Sequence, residues 1–205
     1  MRPVKPYDVV HLDELARIPV DEGLEWRPIR RRLGIQAFGT NAYTSSHVGG
    51  WVVEEHKERS GHEELYVVVS GRAHFTLDGE EVDAPAGTIG FIRDGDVLRK
   101  ALSEEDGTTV LAVGGWPDRP FEPSAWEWFF EAYGQPPEEG VATMEDGVER
   151  FRGQPQEATL LYHLACMESR AGRSEDARGH IHEALELNPD LRERAEDDDD
   201  VKELL

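Results

Sequence analysis

Between residues 34 and 115, short runs rich in β-branched and aromatic residues are separated by turn signals. The runs are GIQAFGTNAYT, GWVVEEH, EELYVVVS, RAHFTLD, TIGFIR and TTVLAVG. The breaks fall at Gly49-Gly50, Ser60-Gly61, Ser70-Gly71, Asp78-Gly79, Pro85-Ala86-Gly87, Asp94-Gly95 and Asp106-Gly107. Many short strands at this spacing predict an antiparallel sandwich or barrel. Asp78-Gly79, between FTL and EEV, predicts a two-residue hairpin turn, because both turn positions want positive φ.

The pattern differs on either side. Residues 1–33 hold scattered prolines and one short helix candidate, residues 12–17, opened by Asp13 and closed near Pro19. They read as an N-terminal arm leading into a barrel over 34–116. Pro117, Pro120 and Pro123 mark a linker over 117–123, where helix is disfavoured. From 124 to 205 the chain reads as helix, opening with AWEWFFEAY and broken at 153–155, 172–174 and Asn188-Pro189. The Asp197–Asp200 run reads as a solvated surface or a loosely ordered turn. The expected fold class is therefore α+β in two domains, an antiparallel β-barrel followed by a helical module.

Charge narrows the choice of partners. A formal charge of −21 over 205 residues repels phosphate backbones, so nucleic acid is not an expected partner. One cysteine, Cys166, precludes an intrachain disulfide. The N-terminus lacks an apolar signal segment, and the longest apolar run spans only 65–69. A cytoplasmic protein with no membrane association is the expectation.

Two short motifs sit in the strand-rich region. Gly50 is followed by His56, Glu58 and Glu64, and six residues separate Glu64 from Gly71. Gly79 is followed after five residues by Pro85-Ala86-Gly87. The segment from Gly50 to Asp94 resembles the cupin superfamily. That resemblance implies a jelly-roll barrel that commonly pairs into a homodimer. It also implies a metal site built from two His and one Glu of the first motif and one His of the second. Here His56 takes the first His place if the loop is one residue longer, and Glu58 falls on the second. The second-motif place falls on Leu98 or Gly90, neither of which ligates.

His62 adds a further imidazole, two residues before Glu64, so on a strand both would face the same way, together with Tyr66. One reading is a rearranged site of His56, His62 and Glu64, with Glu58 nearby, holding one divalent Fe, Mn, Ni or Zn ion. The other is a barrel that has lost its metal. A buried Glu64 must then be neutralised by an arginine such as Arg72 or Arg99, because an unpaired interior carboxylate is costly. Trp51, Tyr66 and Leu98 are the candidate lining of a small-ligand pocket.

Residues 158–191 resemble a tetratricopeptide repeat (TPR). Leu161, Leu164 and Ala165 fit its first helix, Gly172 its turn, Ala177, Ile181 and Ala184 its second helix, and Pro189 its end. Glu168 stands where an aromatic is usual. Gly140 and Gly147 are spaced like Ala177 and Ala184, which predicts a degenerate first repeat over about 124–157, with a polar cap from Asp190 onward. His163, His180 and His182 read as helix-surface residues. Cys166 reads as buried and inert.

Three functions fit these features. The first is a small-ligand-binding or sensing cupin with a degenerate metal site, coupled to a TPR-like module for a protein or peptide partner or for self-association. The second is a metalloenzyme, a dioxygenase or isomerase, using the rearranged site. The third is a non-catalytic scaffold.

Overall fold

A computed structural model describes residues 7–21, 23–58 and 61–205. The chain divides into two compact units, Met1–Pro123 and Ser124–Leu205.

Among the described residues of the first unit, ten strands form two antiparallel sheets. The strands are β1 Ile18–Asp21, β2 Leu24–Arg27, β3 Gly39–Ser45, β4 Trp51–His56, β5 Glu63–Ser70, β6 Arg72–Leu77, β7 Glu80–Pro85, β8 Ile89–Ile92, β9 Arg99–Ser103 and β10 Thr109–Gly115. One sheet runs β1-β2-β3-β10-β5-β8 and the other β4-β9-β6-β7. Strands β3 to β10 thus make a double-sheet jelly roll, four strands to a sheet. Val52, Val53, Phe75, Ala84 and Ala101 of one sheet join Tyr66, Val68, Ile92 and Val110 of the other in a single buried core. The Asp78-Gly79 turn joins β6 to β7 with φ of 50° and 87°, as a primed hairpin turn requires.

The expected arm is in part sheet. β1 and β2 form a hairpin on the edge of β3, and helix α1, Ile29–Leu33, follows. Leu24 and Trp26 alternate along β2 and are both fully buried, which anchors the hairpin. Pro19 lies on the edge strand β1, where its missing N–H breaks no internal ladder. The helix expected over 12–17 is a single 3-10 turn, Leu12–Glu14. Its cap is His11 rather than Asp13, with His11 Nδ1 accepting from the Asp13 amide at 3.2 Å.

The second unit contains α2 Trp126–Tyr133, α3 Pro137–Arg150, α4 Glu157–Arg170, α5 Ser174–Leu187 and a short α6, Arg192–Asp197. α2 packs on α3, α3 on α4 and α4 on α5. α5 begins and ends 37 positions after α3, and α4 ends 37 positions after α2. The same shift relates buried Met144 to Ile181 and Val148 to Leu185, and small Gly140 to Ala177 and Gly147 to Ala184. The small positions let helices meet closely. A Cβ on Gly147 would fall 2.8 Å from Trp128 Cδ1 of α2, and one on Gly140 would fall 2.8 Å from the Ala132 carbonyl oxygen.

The surface placement expected for His163 is overturned, and the polar groups around it are largely paired. His163 is buried, because α4 is covered nearly all round; it meets the Tyr133 hydroxyl at 2.7 Å and stacks on Phe129. Burial, then nearby Arg194, hold its imidazole neutral with a pKa of about 3. Glu168 is wholly buried, with His180 Nδ1 at 2.7 Å and Arg173 Nη2 at 3.4 Å. The acidic run folds back on α4. Asp198 accepts from Tyr162 at 2.7 Å, Asp200 accepts from Arg170 at 2.7 Å, and Val201 and Leu204 are buried in the helical core. Among the described residues, no helix is long and apolar enough to cross a membrane.

Candidate functional site

The polar centre of the jelly roll is Glu64 on β5. It faces the core because it alternates with Tyr66 and Val68, both buried. Arg99 begins β9 and shares its inward face with Ala101 and Ser103; all three are buried. The Arg99 guanidinium reaches across to Glu64 Oε2, with Nη2 at 2.5 Å and Nε at 2.9 Å. Tyr66 donates its hydroxyl to the same oxygen at 2.6 Å. Arg99 Nη1 donates to the carbonyls of Gly95 and Val97 at 3.3 and 3.2 Å. The arginine therefore ties β5 to the turn between β8 and β9. Arg72 is engaged elsewhere, on Asp83 at 2.6 Å.

His56 ends β4 opposite Arg99 in the register. Its Nδ1 donates to the Glu54 carbonyl at 2.7 Å, which turns Nε2 toward Glu64 Oε2, 3.8 Å away. Its side chain is 37% exposed, so solvent reaches the cluster from this side. The electrostatics follow from the contacts. Burial opposes ionisation of Glu64, but His56, Tyr66 and Arg99 together outweigh it and hold the carboxyl at about 2. The Glu64 carboxylate raises the His56 imidazole, against the effect of burial. Burial and the adjacent Glu64 charge raise the Tyr66 hydroxyl, which stays protonated. Glu64 Oε1 accepts no hydrogen bond from the described residues.

The four expected metal ligands separate into two pairs, His56 with Glu64 and His62 with Glu58, the latter at 3.9 Å. Among the described residues, three of them nowhere bring ligating atoms within 4.8 Å of one another. The loop between β4 and β5 carries Glu58, and β5 begins only at Glu63, so strand geometry does not fix the His62 ring beside Glu64. The donor set does not fit the metal that the cupin resemblance implies. A permanent cation, Arg99, already holds the carboxylate that would ligate it.

The three expected pocket residues also part company. Tyr66 belongs to the buried core. Trp51 is paired with Leu102, on the face of the sheet opposite Ala101. Leu98, the neighbour of inward-facing Arg99, is 38% exposed. The alternation of strand side chains accounts for both departures.

Two aromatic residues that the sequence reading did not place stand near His62. Gly39 on β3 lies directly opposite Gly114 on β10, and Gly114 directly opposite Glu64 on β5. Partners in register share a face, so both glycines face the interior. Phe121 carbons stand 2.8 Å from where a Gly39 Cβ would be, and His62 Nε2 stands 2.6 Å from where a Gly114 Cβ would be. His62 stacks on Trp116 with centroids 4.9 Å apart, and Trp116 meets Phe121 at 5.7 Å.

In the helical unit, Cys166, Asp198 and Asp200 bring ligating atoms within 4.8 Å. They are already spoken for. Asp198 takes the Tyr162 hydroxyl, Asp200 takes Arg170, and burial followed by the Asp198 charge pushes the thiol up to about 12.

No family model and no curated protein matches the chain. Solved structures similar to it include several cupin proteins. One similar structure is KdgF from a Halomonas species, 17% identical, covering 52% of this chain and 90% of that one with a TM-score of 0.42. Another is a sugar phosphate isomerase of the cupin superfamily from Silicibacter pomeroyi, 19% identical, covering 52% and 74% with a TM-score of 0.45. A third is an RmlC-like cupin from Shewanella frigidimarina, 15% identical, covering 58% and 97% with a TM-score of 0.42.

Proposed function

We infer that the chain is a cupin-type protein that binds or senses a small polar ligand without a metal. The observation that carries this reading is the Arg99–Glu64–Tyr66 cluster. Arg99 and Tyr66 both donate to Glu64 Oε2, and Oε1 accepts no hydrogen bond from the described residues. A ligand hydroxyl can donate to that oxygen, while His56, whose protonated form the Glu64 carboxylate stabilises, can when protonated donate to a ligand oxygen. Polar groups that converge at a solvent-reached position on a rigid scaffold are what small-ligand sites share. The metalloenzyme reading needs His56, His62 and Glu64 on one ion, and their separation into pairs counts against it.

The helical unit is read as a TPR-like module of two hairpins that serves a protein or peptide partner or self-association. The 37-residue correspondence of α2–α3 with α4–α5 supports an internal repeat, and Pro189 follows the second hairpin as a terminator.

Two measurements test the ligand reading. Thermal-shift screening with small polyols, hydroxy acids and sugars is expected to find a stabilising compound whose effect is lost in Glu64→Gln and reduced in His56→Ala. Metal analysis of protein purified without chelator is expected to find no stoichiometric divalent ion. Near-stoichiometric Fe, Mn, Ni or Zn that disappears in His62→Ala would overturn the metal-free reading in favour of the enzyme.

A further inference from the structure

The glycine pair and the rings that fill it form an arrangement of their own. Gly39, Gly114, Glu64 and Ile92 occupy one rung across β3, β10, β5 and β8. It crosses the start of β3, the end of β10, the start of β5 and the end of β8, so it marks one end of the jelly roll. His56, at the end of β4, and Arg99, at the start of β9, lie at that same end of the other sheet. On the β3 and β10 side of this mouth the strands contribute no side chains. The space is taken by Phe121 over Gly39 and by His62 over Gly114.

Phe121 arrives from the segment that follows β10. That segment is held by ring contacts to other elements, Trp116 stacking on His62 and Arg30 lying 5.8 Å from the Phe121 centroid, while within it Arg119 lies 4.3 Å above Trp116. Its Pro117 and Pro120 limit the shapes it can take. Beneath it, His62 Nε2 is buried and has no hydrogen-bond partner among the described residues. A buried ring nitrogen in that state gains a partner whenever water or a polar solute reaches it. The closed arrangement is thus held by stacking and penalised by this one atom.

We propose that residues 116–121 are a gate over the mouth of the jelly roll, opening by local displacement of Phe121 and Trp116 and thereby exposing His62 beside the Glu64–His56 site. When the gate lifts, the glycine rung becomes the smooth floor of an enlarged mouth and the His62 imidazole becomes available to a solute there. The gate stands apart from the ligand reading, because opening is a property of the free protein, and its test uses no ligand.

The experiment is histidine labelling with diethyl pyrocarbonate, read for each histidine by peptide mass spectrometry. His47, exposed, and His74, half-exposed, serve as references. In the native chain His62 is expected to label at least tenfold more slowly than His74, at a rate unchanged by low urea concentrations, which is the mark of local opening. Phe121→Ala is expected to bring His62 labelling to within about twofold of His74. Gly39→Ala, whose Cβ would strike the Phe121 ring, is expected to do the same and guards against a cavity artefact in the first variant. Three outcomes would overturn the gate. One is His62 labelling as fast as His74 in the native chain. Another is protection that persists in both folded variants. The third is a native labelling rate that climbs with urea in parallel with global unfolding, which would make the segment a fixed plug.

Discussion

Arg99 and Glu64 sit on opposite sheets of the jelly roll and meet in a forked contact, two guanidinium nitrogens on one carboxylate oxygen. The arginine is fully buried, and the Glu64 side chain is only 14% exposed. Removing one partner leaves the other charge uncompensated. Glu64→Ala and Arg99→Ala are each expected to destabilise the first unit by about 3–5 kcal/mol. The double variant Glu64→Ala/Arg99→Ala is expected to lose much less than the sum. Urea denaturation of the four proteins measures the coupling directly, and additive losses would show that the pair is not the organising contact.

The same pair sets an acid limit. Glu64 is held at about 2 against an ordinary value of 4.5, so its contribution is fully present above 4.5 and is lost as pH falls through about 2. The difference corresponds to about 3 kcal/mol. The difference in stability between the native chain and Glu64→Gln should therefore shrink across that window. His56 acts in the other direction. Its raised value contributes stability below the unfolded imidazole value, which fades as pH rises through the folded one. Paired denaturation curves from pH 2 to 8 test both signs, and a pH-independent difference between the two proteins would refute the Glu64 assignment.

Asp198 gives a prediction about the C-terminal segment. Tyr162→Phe removes its 2.7 Å hydrogen bond and is expected to cost about 1–2 kcal/mol of the helical unit's stability. Cys166 is buried, with its thiol pushed up to about 12. In the folded protein at pH 8 it is expected to resist iodoacetamide, and to react fully in 6 M guanidinium. Prompt alkylation of the native protein would show that the acidic segment does not stay seated on α4.

Glycines of the helical unit separate by their surroundings. Gly179 lies within α5, and a Cβ there meets nothing within 4 Å. Gly179→Ala should therefore stabilise the unit by about 0.5–1 kcal/mol through helix propensity. Gly140→Ala places its Cβ against the Ala132 carbonyl oxygen and Met167 and should destabilise by about 1–3 kcal/mol. Thermal melts of the two variants are expected to move in opposite directions.

Much of the strand pattern was legible because turn chemistry is local: Asp78-Gly79 closes a hairpin wherever it is placed. The β1–β2 hairpin was not, since Pro19 and Pro28 obscure a four-residue strand whose main signal is the alternation of Leu24 with Trp26. A counter-ion for Glu64 followed from the cost of a buried charge, but choosing Arg99 over Arg72 required the register of β9 against β4 and β6. The four metal candidates looked convergent because a strand was extended back through His62. The strand begins one residue later, and a loop sets where that ring goes. His163 was misplaced for a related reason. It sits in an apolar stretch, TLLYHLACM, that continues round the whole helix, which is the mark of a helix buried on every side.

The paired glycines on β3 and β10 mean that part of the jelly roll's width is set by rings borrowed from outside the sheet. Changing Phe121 or Trp116 resizes that corner without altering a single strand pairing. Related chains could therefore admit guests of different bulk on an unchanged framework, by exchanging residues in a connecting segment.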